Sequence, residues 1–286
     1  MKEVETEMVV SLVFANFKGG VGKTTNAVMT AYEFAKLGYR TLVCDLDPQA
    51  NATQLLQRTH GLQTNEVLIP TRTMMVALSK EDLASAIVKI RENLYLIPSE
   101  DDFREYPRFL ELRIPLTSKN QKLVEQQRSA YFANELEKIQ DKFDVIILDV
   151  PPTFSIYTDS AIRAADEVVI VLQTQQRSLD GAKYLFRYLQ KSYDDNKDLH
   201  FKVLGVLPVI LKNGVALDNQ ILDEANELFG KNVVFDTVIK YQERLKRYDR
   251  LGISDPEVTK SDHYDKVAHE VYKSLTQEII DRLSNE

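Results

Sequence analysis

The stretch Lys18-Gly19-Gly20-Val21-Gly22-Lys23-Thr24-Thr25 brings together residue types that hold an anion. Its glycines let the backbone curl so that successive N–H groups point inward, and a helix beginning directly behind them adds its positive end. In such a cradle Lys23 reaches the β and γ groups of a polyphosphate, and the Thr24 hydroxyl is placed to ligate Mg²⁺. A tight strand-to-helix turn would account for the glycines but not for the Lys-Thr ending. Three carboxylates stand where they serve such a site. Asp45 and Asp47 sit at i and i+2 in Cys44-Asp45-Leu46-Asp47-Pro48, and Asp149 ends the apolar run Val145-Ile146-Ile147-Leu148 before Pro151-Pro152. Carboxylates leaving parallel strands open onto the crevice where ligands bind, and Asp149 there would polarise a metal-bound water. Nucleotide and metal held together are most of what phosphoryl transfer requires.

The elements that must position these groups follow from the hydrophobic pattern. Short β-branched runs alternate with helical stretches, the signature of βαβ units around a parallel sheet. Strands are predicted over Val9–Ala15, Arg40–Cys44, Leu94–Ile97, Val145–Leu148, Glu167–Leu172 and Lys202–Val209. Several are apolar at successive positions, as expected where helices cover both faces of a sheet. Helices are predicted over Thr24–Leu37, Asp82–Arg91, Gln121–Gln140, Leu179–Lys191, Leu217–Leu228 and Tyr264–Leu283, with Leu62–Lys80 and Asp101–Lys119 as irregular surface insertions. The expected fold class is α/β, a doubly wound, mostly parallel sheet flanked by helices, in a single domain spanning 1–286.

Composition narrows the function. The chain has 286 residues, 44% hydrophobic and 28% charged, enough for a substantial core without staples. The single cysteine, Cys44, excludes an intramolecular disulfide framework and any site built from several cysteines, and fits a reducing cytoplasm. No apolar run approaches the roughly 20 residues of a membrane helix, and the acidic start MKEVETEMVV is unlike a secretion signal. A net charge of −7 excludes a basic coat over the whole surface but not a local patch.

The loop departs from the strict phosphate-binding spacing, because Phe17 stands where the first glycine belongs and Lys18 precedes the glycine pair. In this it resembles the deviant Walker A loop, KGGxGK[ST], of the ParA/MinD family of P-loop ATPases. Cys44–Thr53 is similar to that family's DxDPQ(G)NAT segment, with Ala50 in place of the usual glycine, and Val145–Asp149 reads as a Walker B strand. The likeness extends over nearly the whole chain and is nearest to small plasmid-partition ATPases. It implies that Lys18 crosses a dimer interface to the partner's nucleotide, that Asp47 orients the attacking water, and that Asp45 and Asp149 stand one step back from Mg²⁺. It further implies an ATP-sandwiched homodimer that binds double-stranded DNA without sequence preference, a slow ATPase, and release from the nucleoid when a centromere-binding partition protein stimulates hydrolysis. With 17 residues ahead of the loop, an N-terminal helix-turn-helix domain is not expected. Val238-Ile239 with Arg244-Leu245 echoes the family's base-side loop, although Lys240 and Tyr241 replace its Pro-Arg. Pro208 is a further candidate for the base pocket.

Within the family, one cysteine cannot ligate an iron–sulfur cluster. The terminal Ser284-Asn285-Glu286 lacks a tyrosine cluster, and Asn196-Lys197-Asp198 has the wrong spacing for guanine, so ATP is favoured over GTP. The alternative is a MinD-like regulator whose nucleotide gates membrane-surface binding. The C-terminal stretch does space Leu275, Ile279 and Leu283 four apart, but its mixed charge favours core packing and no membrane partner. For DNA, the run 240–250 carries five basic side chains (Lys240, Arg244, Lys246, Arg247 and Arg250) against two acidic ones. On a helix Arg244 and Arg247 share a face with Lys240 or Arg250. Arg177, Lys183, Arg187 and Lys191 form a second group, and both would hold phosphates without reading sequence.

Overall fold

A computed structural model describes residues 9–116, 120–211 and 216–285. Its centre is one eight-stranded sheet in the order β3-β4-β2-β5-β1-β6-β7-β8. The strands are β1 (Val10–Ala15), β2 (Thr41–Asp45), β3 (Val88–Arg91), β4 (Leu94–Ile97), β5 (Val145–Asp149), β6 (Glu167–Gln173), β7 (Lys202–Leu211) and β8 (Ile239–Lys240). All pairings are parallel except that of β3 with β4. Alternate residues of each central strand feed opposite cores. Leu12 and Phe14 of β1 pack with α1 (Lys23–Lys36) on one face, whereas Val13 and Ala15 join the core on the other.

The first face is covered by α1, α2 (Asn51–Thr64), α9 (Glu243–Leu251) and α10 (His263–Ser284). The second is covered by α3 (Met74–Ser79), α4 (Tyr106–Arg113), α5 (Gln121–Glu137), α6 (Ile156–Ala164), α7 (Gln176–Asp195) and α8 (Ala216–Phe229). In α10, Leu275 and Ile279 are fully buried and Leu283 packs partly against the same core, so the apolar side of this helix is used up inside the protein. Among the described residues, no helix is long and apolar enough to cross a membrane.

Two expectations need correction. The helix expected over Asp82–Arg91 is a single 3₁₀ turn (Leu83–Ala86) followed by β3. Leu83, Ile87 and Ile90 satisfy a helical period, but Val88 and Ile90 also alternate as a strand, and the tight turn decides between them. Asn93 adopts a left-handed φ of 60°, and the register shifts between Lys89 and Arg91, so the chain reverses into a bulged hairpin. The stretches Leu62–Lys80 and Asp101–Lys119 are not merely surface insertions. They contain the end of α2, α3 and α4, and they bury Met74, Leu78, Phe103, Tyr106 and Leu110 in the core. Of the 17 residues ahead of the loop, on which the expected lack of a helix-turn-helix domain turns, residues 1–8 lie outside the described residues.

Candidate nucleotide site

The C-terminal ends of β1, β2 and β5 converge at the middle of the sheet, the ligand crevice of open α/β folds. Between β1 and α1, Gly20 and Gly22 hold φ values of 73° and 83°, a left-handed conformation that other residues adopt at a cost of about 1–2 kcal/mol. Val21 is fully buried and pins the loop to the core. No side chain caps α1, so its first amides stay available to an anion. Gly19 runs beside Pro152, which would lie 3.7 Å from an added Cβ.

Lys23 is 6% exposed and donates from Nζ to the Lys18 carbonyl at 3.3 Å. Burial lowers its pKa, while Asp149 and Asp47 pull it back up. Asp45 is fully buried and accepts three hydrogen bonds, from Thr53 N (2.8 Å), Thr53 Oγ1 (2.7 Å) and Asp47 N (3.1 Å). It thereby caps the first turn of α2 and fixes the strand-to-helix loop that carries Asp47. Asp47 is itself held by Gln49 N at 2.9 Å, and its carboxylate lines the cavity with Lys23 and Thr24. Ala50, at the end of this loop, takes a left-handed φ of 55°, a conformation glycine would adopt without strain.

Asp149 is the most unusual group in the crevice. It is fully buried, and neither carboxylate oxygen has a well-formed hydrogen bond. Burial followed by the Asp45 charge pushes its pKa well above the ordinary range, with only the Thr24 hydroxyl and the Lys23 charge favouring its ionised form. A buried carboxylate so poorly satisfied, beside Thr24 and Lys23, suits a site completed by a cation. Among the described residues, no three His, Cys, Asp or Glu side chains form a metal cage. The donor set therefore fits Mg²⁺ held by the Thr24 hydroxyl, phosphate oxygens and water, with carboxylates behind, which is the usual preference of that ion.

Two cavities open from this point. One of about 370 Å³ is lined by Gly20, Gly22, Lys23, Thr24, Thr25, Asp47, Arg58 and Asp249, among others. The other, of about 630 Å³, runs toward β7 and β8 and is lined by Gln173, Ile210, Asp218, Tyr241, Leu245 and Tyr272, again with Gly20, Gly22, Thr25 and Asp249. Ile210 adopts a left-handed φ of 60° where the β7–β8 register shifts, a strained conformation for a β-branched residue. Pro208 lies buried within β7, opposite Leu172, and does not line this cavity.

A family model described as an AAA domain matches residues 9–201. The chain is 30% identical over 269 residues to the sporulation initiation inhibitor protein Soj of Bacillus subtilis, covering 91% of this chain and 97% of that protein. The chain belongs to the ParA/MinD family. The chromosome-partitioning ATPase Soj of Treponema pallidum is 28% identical over 266 residues, covering 91% and 96% of the two chains. The structure of apo McdA from Cyanothece superposes with a TM-score of 0.76 at 20% identity, over 96% of this chain and 99% of that one, which shows the shared fold.

The family's distinctive lysine, Lys18, lines neither cavity. Its Nζ donates to Gln173 Oε1 (3.1 Å) and Gln175 Oε1 (2.8 Å), two residues that line the larger cavity. Partial burial and then the neighbouring Arg177 lower its pKa. The basic run divides by environment. Lys240, Lys246, Arg247 and Arg250 are exposed, with Lys246 reaching the Tyr241 hydroxyl at 2.9 Å. Arg244 instead has an 11% exposed side chain that pairs with Asp262 and Asp265, so it ties α9 to α10 and does not share the exposed face expected for it. On α7, Arg177, Arg187 and Lys191 are exposed, and Lys183 is half-buried. Sequence reasoning missed Arg58, Asp249 and Ile210, which line the cavities from elements that no motif marks.

Proposed function

We propose that this chain is a partition ATPase that hydrolyses ATP to ADP and phosphate, forms an ATP-sandwiched homodimer, and binds double-stranded DNA without sequence preference in that state. The observation that carries the reading is the pairing of an uncapped α1 N-terminus and Lys23 with the buried, poorly satisfied Asp149 beside one cavity. Together they supply donors for a polyphosphate and a buried carboxylate whose ionised form a cation would stabilise. Mg²⁺, when bound, supplies charge neutralisation across the β and γ groups. Lys23 holds those groups, and Asp47, fixed by Gln49 and the Asp45-anchored loop, orients the attacking water. Positioning and charge stabilisation do the rest, which gives a slow enzyme until a centromere-binding partition protein improves the geometry.

The placement of Lys18 supports a site completed by a second copy, because its ammonium is held by Gln173 and Gln175 and does not line its own phosphate cavity. DNA phosphates meet the exposed Lys240, Lys246, Arg247 and Arg250, doubled on one face of the dimer, with α7 as the second surface. The protein then works in the cytoplasm, on the nucleoid. The test is molecular mass in solution with and without Mg-ATP, repeated with DNA, alongside co-sedimentation with DNA and with anionic liposomes. An ATP-dependent dimer that sediments with DNA is expected. ATP-dependent sedimentation with liposomes alone would favour a membrane-surface regulator, against which the burial of Leu275 and Ile279 in α10 argues. Lys18→Gln is expected to retain ATP binding by the monomer and to weaken ATP-dependent dimerisation about tenfold, as expected for a charge removed from an interface.

A further inference from the structure

We propose that Asp249 reads the sugar of the bound nucleotide, accepting hydrogen bonds from the ribose hydroxyls. The inference rests on the ATP reading above and names a specificity-determining residue within it. The phosphate cavity and the base cavity share four lining residues, Gly20, Gly22, Thr25 and Asp249. Whatever joins a ligand's phosphates to its base passes between these four, and in a nucleotide that linker is a neutral pentose bearing vicinal hydroxyls. Of the four, Asp249 alone carries a charge. A carboxylate repels polyphosphate, so its presence at this wall is favourable only where the ligand offers donors.

Asp249 is also held as a recognition group should be. Its carboxylate accepts from the Thr25 hydroxyl at 3.4 Å, which aims it at the start of α1. Its backbone carbonyl accepts from the Arg58 guanidinium, whose other nitrogen donates to Gln54 Oε1 at 3.1 Å. The preceding Tyr248 is 1% exposed and donates to Asp265 at 2.8 Å. Beyond the end of α9, Gly252 lies so close to α2 that an added Cβ would come within 2.6 Å of the Arg58 carbonyl, and Ile253 N donates to Thr59 Oγ1 at 3.0 Å. The backbone that carries Asp249 is thus clamped between α2 and α10 before any ligand arrives, which leaves only the exposed side chain to be ordered on binding. A carboxylate carried in this way accepts from both the 2′- and 3′-hydroxyls, and its removal is felt by the sugar and not by the phosphates.

Binding of ATP, 2′-deoxy-ATP, 3′-deoxy-ATP and inorganic tripolyphosphate, each with Mg²⁺, is to be measured by titration calorimetry. Wild type is expected to bind ATP about tenfold more tightly than either deoxynucleotide, the size of one hydrogen bond to a charged group. Asp249→Ala should bind all three nucleotides alike, below the wild-type deoxynucleotide level because both hydrogen bonds are gone, with tripolyphosphate affinity undiminished. Asp249→Asn, which keeps the shape and one acceptor, should fall between. Equal wild-type affinity for ATP and both deoxynucleotides overturns the sugar assignment while leaving the ATP reading intact. So does an Asp249→Ala protein that weakens tripolyphosphate as much as ATP, which would mark a purely structural residue. A wild-type chain that binds no nucleotide overturns both readings together.

Discussion

The phosphate side and the base side of the crevice share a wall but are built by opposite means. The phosphate side hangs on β1, β2 and β5, three neighbouring central strands buried from end to end, and its key carboxylates Asp45 and Asp149 are fully enclosed. The donors it offers are mostly backbone, from the glycine loop and the uncapped helix, with one lysine. The base side hangs on the edge of the sheet, where β8 is two residues long, β7 carries the strained Ile210 one residue from its end, and α9 presents the exposed Lys246, Arg247 and Arg250. The groups proposed to hold what any triphosphate has in common therefore sit on fully buried central strands. Those proposed to distinguish one ligand from another, and those that meet the outside, sit toward the edge of the sheet. A disturbance on the first side should be close to all-or-none, and one on the second side graded.

Lys23→Ala is the severest test of that contrast. It removes the lysine aimed at the phosphates, and Mg-ATP affinity in titration calorimetry should fall by about 100-fold or more, the sum of two charge-assisted hydrogen bonds. Unchanged affinity would move the phosphates elsewhere. Asp47→Ala should slow steady-state phosphate release by about 100-fold while ATP binding stays within a few-fold, since an orienting group acts on the reaction and not on the ground state. On the base side the effects are smaller and separable. Arg247→Ala with Arg250→Ala should flatten the salt dependence of DNA affinity by about 0.9 for each phosphate no longer neutralised, with ATP-driven dimerisation untouched. Arg244→Ala should leave that slope alone and lower unfolding free energy by about 1–3 kcal/mol in denaturant titration, because its partner Asp265 is buried. If Arg244→Ala flattens the slope instead, the division of the basic run is wrong.

The smallest expected effect lies outside both halves. His269 on α10 pairs with the buried Glu33 of α1 and lies 2.9 Å from the Ser254 carbonyl. Burial lowers its pKa, but the hydrogen bond and charge of Glu33 outweigh burial and leave the net shift upward. Its contribution to stability is complete below the ordinary histidine range and fades as pH rises through the raised value. The Tm of the wild type should therefore decline modestly on going from neutral to mildly alkaline pH, and His269→Gln should remove that decline.

The same division between the two sides governs what is legible in the sequence. β1, β2 and β5 are continuous apolar runs that end in a glycine loop or an aspartate, so local pattern and site coincide and both can be read directly. α2 escapes because its cap is not local. Ala50 offers no side-chain acceptor, and the carboxylate that receives Thr53 N belongs to Asp45, eight residues earlier on a strand. β3 reads as helix because its segment fits two periods, and the choice is left to the turn at Asn93. On the base side nothing local marks Asp249 or Arg58. They meet across 191 positions of sequence, through a backbone carbonyl that only tertiary packing brings into reach. Pro208 is buried within β7 and does not line the cavity, whereas Ile210, at the register shift two residues later, does.

Both margins of the sheet are blunt. On one side β3 is four residues long, antiparallel and bulged, with Lys89 exposed; on the other, β8 offers only Ile239 and the exposed Lys240. Open strand edges are the templates on which chains polymerise, and short, kinked, lysine-bearing edges offer almost no ladder to extend. A protein that must gather at high local density on a long polymer and then disperse would be trapped by sheet-to-sheet growth, which has no fuel-driven exit. With those edges closed, the proposed self-association would fall to surfaces near the nucleotide, where each contact could be undone when a phosphate leaves.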